Sequence, residues 1–160
     1  VDLRVSIENS LPLSLPVGSA AAIFCFGHCF DRHQSVKGLD LLVDGTSHRP
    51  AVSGMPRLDL FDWLHRGIKE DPEGRSYRSG FWAILPVPAR QRPGTVELAA
   101  GVRLADGSSH TAPLASIEVA ERRPPRSWET GPLRPGTVAI CMATYEPDIA
   151  LFRVQVESLR

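Results

Sequence analysis

Five residues of metal-ligating type crowd one short stretch: Cys25, His28, Cys29, Asp31 and His33. Thiolate and imidazole donors hold zinc when four of them converge from a turn or from two loops. The surrounding residues, Ala20–Phe30, are apolar and aromatic and read instead as a strand with a polar end. At ~3.3 Å per residue, Cys25 and Cys29 would face the same side of that strand about 13 Å apart. That is too far for a disulfide or for one zinc ion unless Gly27 kinks the chain. Buried free cysteines with surface histidines is therefore the reading carried forward.

A second group of residues suits sugar chemistry. Exposed aromatic rings stack on the apolar faces of sugars, and neighbouring Arg or Asp side chains fix the hydroxyls. Trp63, Phe81, Trp82 and Trp128 are the rings of interest. Arg57, Asp59, Asp62 and Trp63 make a candidate glycan-binding surface on one short segment. The competing reading has Phe61, Trp63 and Phe81 capping a hydrophobic core, as aromatic residues of small β domains usually do. Alternation puts Phe81 and Trp82 on opposite faces, so at least one of them is expected to point inward. No Gly-x-Ser-x-Gly elbow and no glycine-rich phosphate loop occurs, which removes serine-hydrolase and P-loop chemistry.

The elements that must position these residues are mainly strands. Leu3, Val5 and Ile7 alternate with Arg4, Ser6 and Glu8. Pro12 and Pro16 make Leu11–Val17 an edge or an extended connection. Val36–Val43 runs into Asp44-Gly45, which suits a tight hairpin with Thr46–Val52 as the return strand. Gly80–Val87 is a further strand, and Thr95–Leu104 with Ser109–Val119 flanks Ala105-Asp106-Gly107-Ser108 as a last hairpin. Pro56–Gly67 breaks the rhythm: Leu58, Phe61, Leu64 and Ile68 have helical spacing. Lys69–Arg78 is charged, holds Pro72 and Gly74, and reads as an exposed loop. About seven short strands at this spacing suggest an immunoglobulin-like β-sandwich, and a jelly roll would give a similar string.

The bulk numbers agree with one such domain. The chain has 160 residues, 42% hydrophobic and 22% charged, with a formal net charge of zero. That is enough to bury a core without disulfides or metals. A balanced charge gives no footprint for nucleic acid or an anionic membrane. No apolar run approaches the ~20 residues of a membrane span. Ala20–Phe26 lacks the basic flank of a signal peptide, although Val1 in place of an initiator Met leaves a removed leader open. Three cysteines, an odd number, favour a reducing compartment, so the cytoplasm is expected.

Past residue 120 the composition changes. Residues 121–136 (ERRPPRSWETGPLRPG) hold four prolines and two glycines and read as a semi-rigid linker, with Arg122, Arg123 and Arg126 solvated. Thr137–Thr144 is a continuous apolar run, the pattern of a strand buried on both faces. Pro147 and Asp148 suit the first turn of a helix. Ile149, Leu151, Phe152, Val156 and Leu159 give that helix an apolar face. The expected organisation is a β domain over 1–120, a linker over 121–136, and the first strand and helix of a truncated α/β domain over 137–160.

Thr137–Arg160 (TVAICMATYEPDIALFRVQVESLR) resembles the opening of a family 2 glycosyltransferase, a GT-A fold that binds nucleotide sugars. The apolar strand, the Thr144-Tyr145-x-Pro147 turn and Ser158-Leu159 carry the resemblance. It implies that Ala143, Thr144, Tyr145 and Glu146 line the nucleotide-sugar site, at the carboxyl end of a strand. Glu146 stands where the family most often has Asn. The metal-binding acidic motif and the catalytic base would lie beyond Arg160, so this chain is not expected to catalyse transfer by itself. The full-length enzyme is expected to use Mg or Mn and to move a sugar from a nucleotide-sugar donor to a glycan acceptor. Residues 1–120 resemble β-sandwich modules that precede this catalytic domain in some bacterial enzymes. Val43-Asp44-Gly45, Pro56-Arg57-x-Asp59, Ser79-Gly80-Phe81 and Asp106-Gly107 carry that likeness. The alternative is a carbohydrate- or protein-binding module with no associated catalysis.

Overall fold

Alternation along the chain makes the strands and sorts their faces. In β3 (Ala21–Asp31), Ile23, Cys25 and Cys29 are buried while Phe24 and Phe26 are exposed. The same rule runs through β7 (Gly80–Val87), where Phe81, Ala83, Leu85 and Val87 point inward. The computed structural model describes residues 1–65, 71 and 73–121. Before β3 come β1 (Leu3–Ile7) and the short β2 (Ser14–Pro16). After it come β4 (Val36–Val43), β5 (Thr46–His48), β6 (Val52–Met55), helix α1 (Leu58–His65) and a 3-10 turn at Arg75–Arg78. Two long strands, β8 (Gly94–Leu104) and β9 (Ser109–Ala120), follow β7. The linker and α/β expectations for 122–160 lie outside the described residues.

The strands form two sheets, in the orders β1-β3-β7-β6 and β2-β9-β8-β4-β5. All pairings are antiparallel except β2 with β9, which is parallel. One core lies between the sheets. Ile23, Cys25, Phe81 and Leu85 come from the first, and Leu41, Leu98, Val102 and Ile117 from the second. The fold is therefore mainly β with two sheets, as expected. Among the described residues no helix is long and apolar enough to cross a membrane.

The turn chemistry read from the sequence holds. Asp44 and Gly45 have φ of 49° and 82°, the paired positive values of a two-residue hairpin turn. The Asp44 carboxylate also accepts the Glu97 N–H at 3.0 Å and pairs with Arg90. In the β8–β9 hairpin, Leu104 N–H bonds Ser108 C=O at 2.9 Å, and Gly107 takes φ of 87°. The Pro12–Pro16 region supplies the edge strand β2, pinned where Val17 N–H meets Ala120 C=O at 2.9 Å.

Two expectations need correcting. The return strand after Asp44-Gly45 ends at His48 rather than Val52. Pro50 has no N–H to give the ladder, and the chain crosses there to the first sheet, where Val52 pairs opposite Trp82. The described part of Lys69–Arg78 is not wholly an exposed loop. Asp71 and Ser76 are buried, and the Asp71 carboxylate accepts the N–H groups of Arg75 at 2.8 Å and Ser76 at 2.7 Å. A buried carboxylate that takes two backbone donors organises this turn.

Gly27 does not kink β3; its pairing with β7 runs unbroken from Ala21 to His28. It lets β1 approach instead, since a Cβ on Gly27 would lie 1.8 Å from the Ser6 carbonyl oxygen. Gly27→Ala is expected to force β1 away and destabilise the domain by about 1–3 kcal/mol. Urea unfolding measures this, and an unchanged midpoint would show that β1 has room to spare.

Candidate functional site

The outward side of the first sheet brings rings and charges together. On β3, Phe24, Phe26 and His28 alternate outward, opposite Ile84, Trp82 and Gly80 of β7. Phe24 lies 6.3 Å from Phe26 and 6.3 Å from Trp82, centroid to centroid. Phe24 is 51% exposed and Ile84 58%, and Val52 beside Trp82 is also open. The result is a continuous aromatic and aliphatic strip on the outer side of the sheet. Asn9 fixes one end by continuing the ladder with its side chain. Its amide donates to Phe24 C=O at 2.9 Å and accepts from Phe26 N–H at 2.7 Å.

At the His28 end the strip meets a charged clamp. Gly80 has no side chain, so Arg57 packs across it; a Cβ there would lie 3.1 Å from Arg57 Cγ. The guanidinium donates through Nε and Nη2 to the two Asp59 oxygens at 2.9 and 2.6 Å. Its Nη1 donates to Glu8 Oε1 at 2.8 Å. The same oxygen accepts from His28 Nδ1 at 2.6 Å. A carboxylate can only accept here, so the proton of that bond sits on Nδ1.

These contacts set the charge states. Burial alone would raise the Glu8 pKa, but hydrogen bonds from Arg57 and His28 outweigh it and leave Glu8 below its ordinary value. The Arg57 hydrogen bonds, working against slight burial, hold Asp59 at about 2. Asp59 and Glu8 in turn keep Arg57 more firmly protonated, with burial opposing. The clamp is thus fully ionised at its carboxylates near neutral pH.

Of the residues expected to bind a glycan, Arg57 and Asp59 are brought together, but with each other as partners. Arg57 is therefore a fixed donor array rather than a free cation. Asp59, Asp62 and Trp63 follow at helical spacing on α1, and Trp63 is 70% exposed. That exposure excludes Trp63 from capping the core. Phe61 packs edge-on against Tyr77 at 5.8 Å, and only Phe81 of the suspected caps is fully inside. Trp128, Ala143, Thr144, Tyr145 and Glu146 lie outside the described residues.

Sequence reading missed Phe24, Phe26, Glu8, Asn9 and His28 as members of one surface. The alternation of β3 put Phe24, Phe26 and His28 on one side, a signal that was present. Nothing local could join them to Arg57, about 30 residues further on by sequence number.

The cysteine cluster disperses as the strand geometry required. Cys25 and Cys29 are free and buried, and burial raises their pKa values to about 11 and about 12. Such thiols are protonated and unreactive at neutral pH. His28 faces the other side, on Glu8. Among the described residues no three His, Cys, Asp or Glu side chains are placed to hold a metal.

No protein-family model matches the chain, and no curated protein matches it by sequence.

The clamp carries a pH signature. Its carboxylates have folded pKa values below their unfolded ones, so their contribution is complete above the unfolded pKa of about 4 and fades as pH falls towards 2. Arg57→Gln should lower stability by about 1 kcal/mol near neutral pH. That difference should shrink below about pH 4 as the two carboxylates protonate. Urea midpoints of both proteins across pH measure it, and a difference constant to low pH would contradict the clamp.

Proposed function

We propose that residues 1–120 are a non-catalytic recognition module that presents the outer face of its first sheet to a glycan. The observation that carries this reading is the exposed Phe24–Phe26–Trp82 strip ending at the ionised Glu8–Arg57–Asp59 clamp. Rings of this kind cover the apolar faces of a saccharide. The clamp offers fixed carboxylate oxygens and guanidinium edges to hydroxyl groups. With these groups already held, little side-chain entropy is lost on binding. Trp63, four residues after Asp59 on α1, is a further exposed ring.

The fold reading that accompanies this is an immunoglobulin-like β-sandwich. Strand order supports it. With β1, β3, β4, β6, β7, β8 and β9 taken as A to G, the sheets run A-B-E-D and G-F-C. β5 adds to the C edge, and β2 lets the first strand reach the second sheet. The usual B–F disulfide has no counterpart, because β8 holds no cysteine to meet Cys25. Cys25, Phe81, Leu98 and Ala100 all belong to the shared hydrophobic core instead.

In this reading the module is the accessory region of a family 2 glycosyltransferase whose GT-A catalytic domain begins at Thr137. That enzyme transfers a sugar from a nucleotide-sugar donor to a glycan acceptor with Mg or Mn. The support is the resemblance of Thr137–Arg160, with Ala143, Thr144, Tyr145 and Glu146 on the donor side. Holding the acceptor near a donor site raises its effective concentration, the advantage a linked module gives. A second reading has one observation in its favour. Ile84 and Val52 are aliphatic and exposed within the strip, which suits a protein partner.

A glycan array probed with the 160-residue chain tests the module. Binding of a restricted set of glycans is expected, weakened about tenfold by Trp82→Ala or Phe26→Ala. Silence across neutral and charged glycans would reject glycan recognition and leave the protein partner. For the parent enzyme, protein extended beyond Arg160 should transfer or hydrolyse a nucleotide sugar with Mn or Mg. Failure with all common donors would reject the glycosyltransferase assignment.

A further inference from the structure

The second sheet carries a different chemistry on its outward side. Although the chain has no net charge, the fold gathers cations there. Lys37, Arg49 and Arg103 line one open cavity of about 520 Å³ together with the single carboxylate Asp40. Among the described residues none of the three makes an ion pair, while Arg4, Arg32, Arg57 and Arg90 all do. Three unpaired cations at one cavity repel each other and raise a local positive potential. An anion placed between them is attracted by that potential.

The backbone beneath supports the same conclusion. β4 and β8 run antiparallel here with Gly38 opposite Arg103 and Asp40 opposite Gly101. Gly38 leaves its side open, so the Arg103 guanidinium lies across it; a Cβ on Gly38 would be 3.2 Å from Arg103 Nη2. Gly101 is bordered less closely, by the Leu42 side chain and the Asp40 carbonyl at 3.8 to 3.9 Å from where a Cβ would stand. The two glycines make a low floor, and Arg49, from the segment crossing between sheets, forms a wall. Ser109 and Thr111 of β9 add hydroxyls along the opposite side.

The lining also selects among anions. No Phe, Tyr or Trp faces the cavity, so it lacks the stacking surface that single-stranded nucleic acid uses. The volume suits one or two sugar-sized groups rather than a duplex. Asp40, Ser109 and Thr111 can exchange hydrogen bonds with hydroxyl groups, and the cations can hold a carboxylate or a phosphate. Arg103 presents a planar fork that matches either group.

We propose that this groove is a binding site for an anionic saccharide, one carrying a carboxylate or a phosphate ester. The anionic group lies between Lys37, Arg49 and Arg103, and the sugar hydroxyls meet Asp40, Ser109 and Thr111. The site lies mainly on the opposite sheet from the aromatic strip, with Ser53 of β6 at its border, and does not rest on the reading of that strip.

Isothermal titration of the 160-residue chain tests it with trigalacturonate, glucose 1-phosphate, neutral maltotriose, inorganic phosphate and a thymidine oligonucleotide. One or both anionic saccharides should bind, and which of them does identifies the anionic group. Maltotriose should bind at least about tenfold more weakly. Raising salt from about 0.02 to about 0.5 M should weaken the anionic ligand markedly. Arg103→Ala and Lys37→Ala should each weaken it about fivefold or more. Both side chains are exposed, so thermal melting should stay near the wild-type value and report an intact fold. Arg92→Ala, which removes a positive charge outside the groove, should leave binding unchanged. Equal binding of maltotriose, no binding of either anionic saccharide, or equal loss with Arg92→Ala would overturn the proposal. Inorganic phosphate binding as tightly as glucose 1-phosphate, or an oligonucleotide binding more tightly than both saccharides, would overturn its saccharide assignment.

Discussion

Strand β3 joins the hydrophobic core to the candidate surface, and its alternation across Gly27 is the constraint on which both depend. Its inward residues, Ile23, Cys25 and Cys29, fill the space against β7 and the second sheet. Its outward residues, Phe24, Phe26 and His28, face solvent because the inward ones are buried. A slip of one residue would exchange the two sets and put His28 in the core. The backbone of β1 lies so close that only hydrogen fits at position 27. That contact brings Glu8, just after β1, within reach of His28 and Arg57.

Glycine does related work at three places where two chain segments meet. Gly27 admits backbone, Gly80 admits the Arg57 stem, and Gly38 admits the Arg103 guanidinium. In the last two cases the missing side chain on a sheet surface becomes a seat for a cation. One of these arginines is neutralised by Asp59 and Glu8, and the other has no carboxylate partner. That difference separates the two faces chemically. The first is an apolar strip with a balanced clamp, and the second is a polar groove with surplus positive charge.

Aspartate shapes the connections between strands. Asp31 accepts the N–H groups of His33 and Gln34, both at 2.9 Å. Asp71 accepts those of Arg75 and Ser76, and Asp106 accepts that of Ser108 at 2.8 Å. Burial pushes the Asp31 pKa up, but these backbone donors outweigh it and bring the value below the ordinary one. Such turns stay organised while the carboxylates are ionised. The Asp31 and Asp71 turns lead into β4 and β7.

Much of the strand pattern was legible because period-two alternation and turn residues are local properties. β3, β7, the Asp44-Gly45 turn and the last hairpin all follow from neighbouring residues. The spacing of Cys25 and Cys29 likewise spoke against a shared zinc once a strand was assumed. The helix at Leu58–His65 followed from its apolar spacing, but the burial of Asp71 did not, because its partners are backbone groups of a turn. Only the tertiary structure decided which sheet each strand joins, since pairing depends on contacts far apart in sequence. It therefore decided that Arg57 meets Glu8 and His28. It also decided that Lys37, Arg49 and Arg103 share one cavity in a chain whose charges sum to zero. Net charge is a sum over residues and carries no position; the fold supplies the positions.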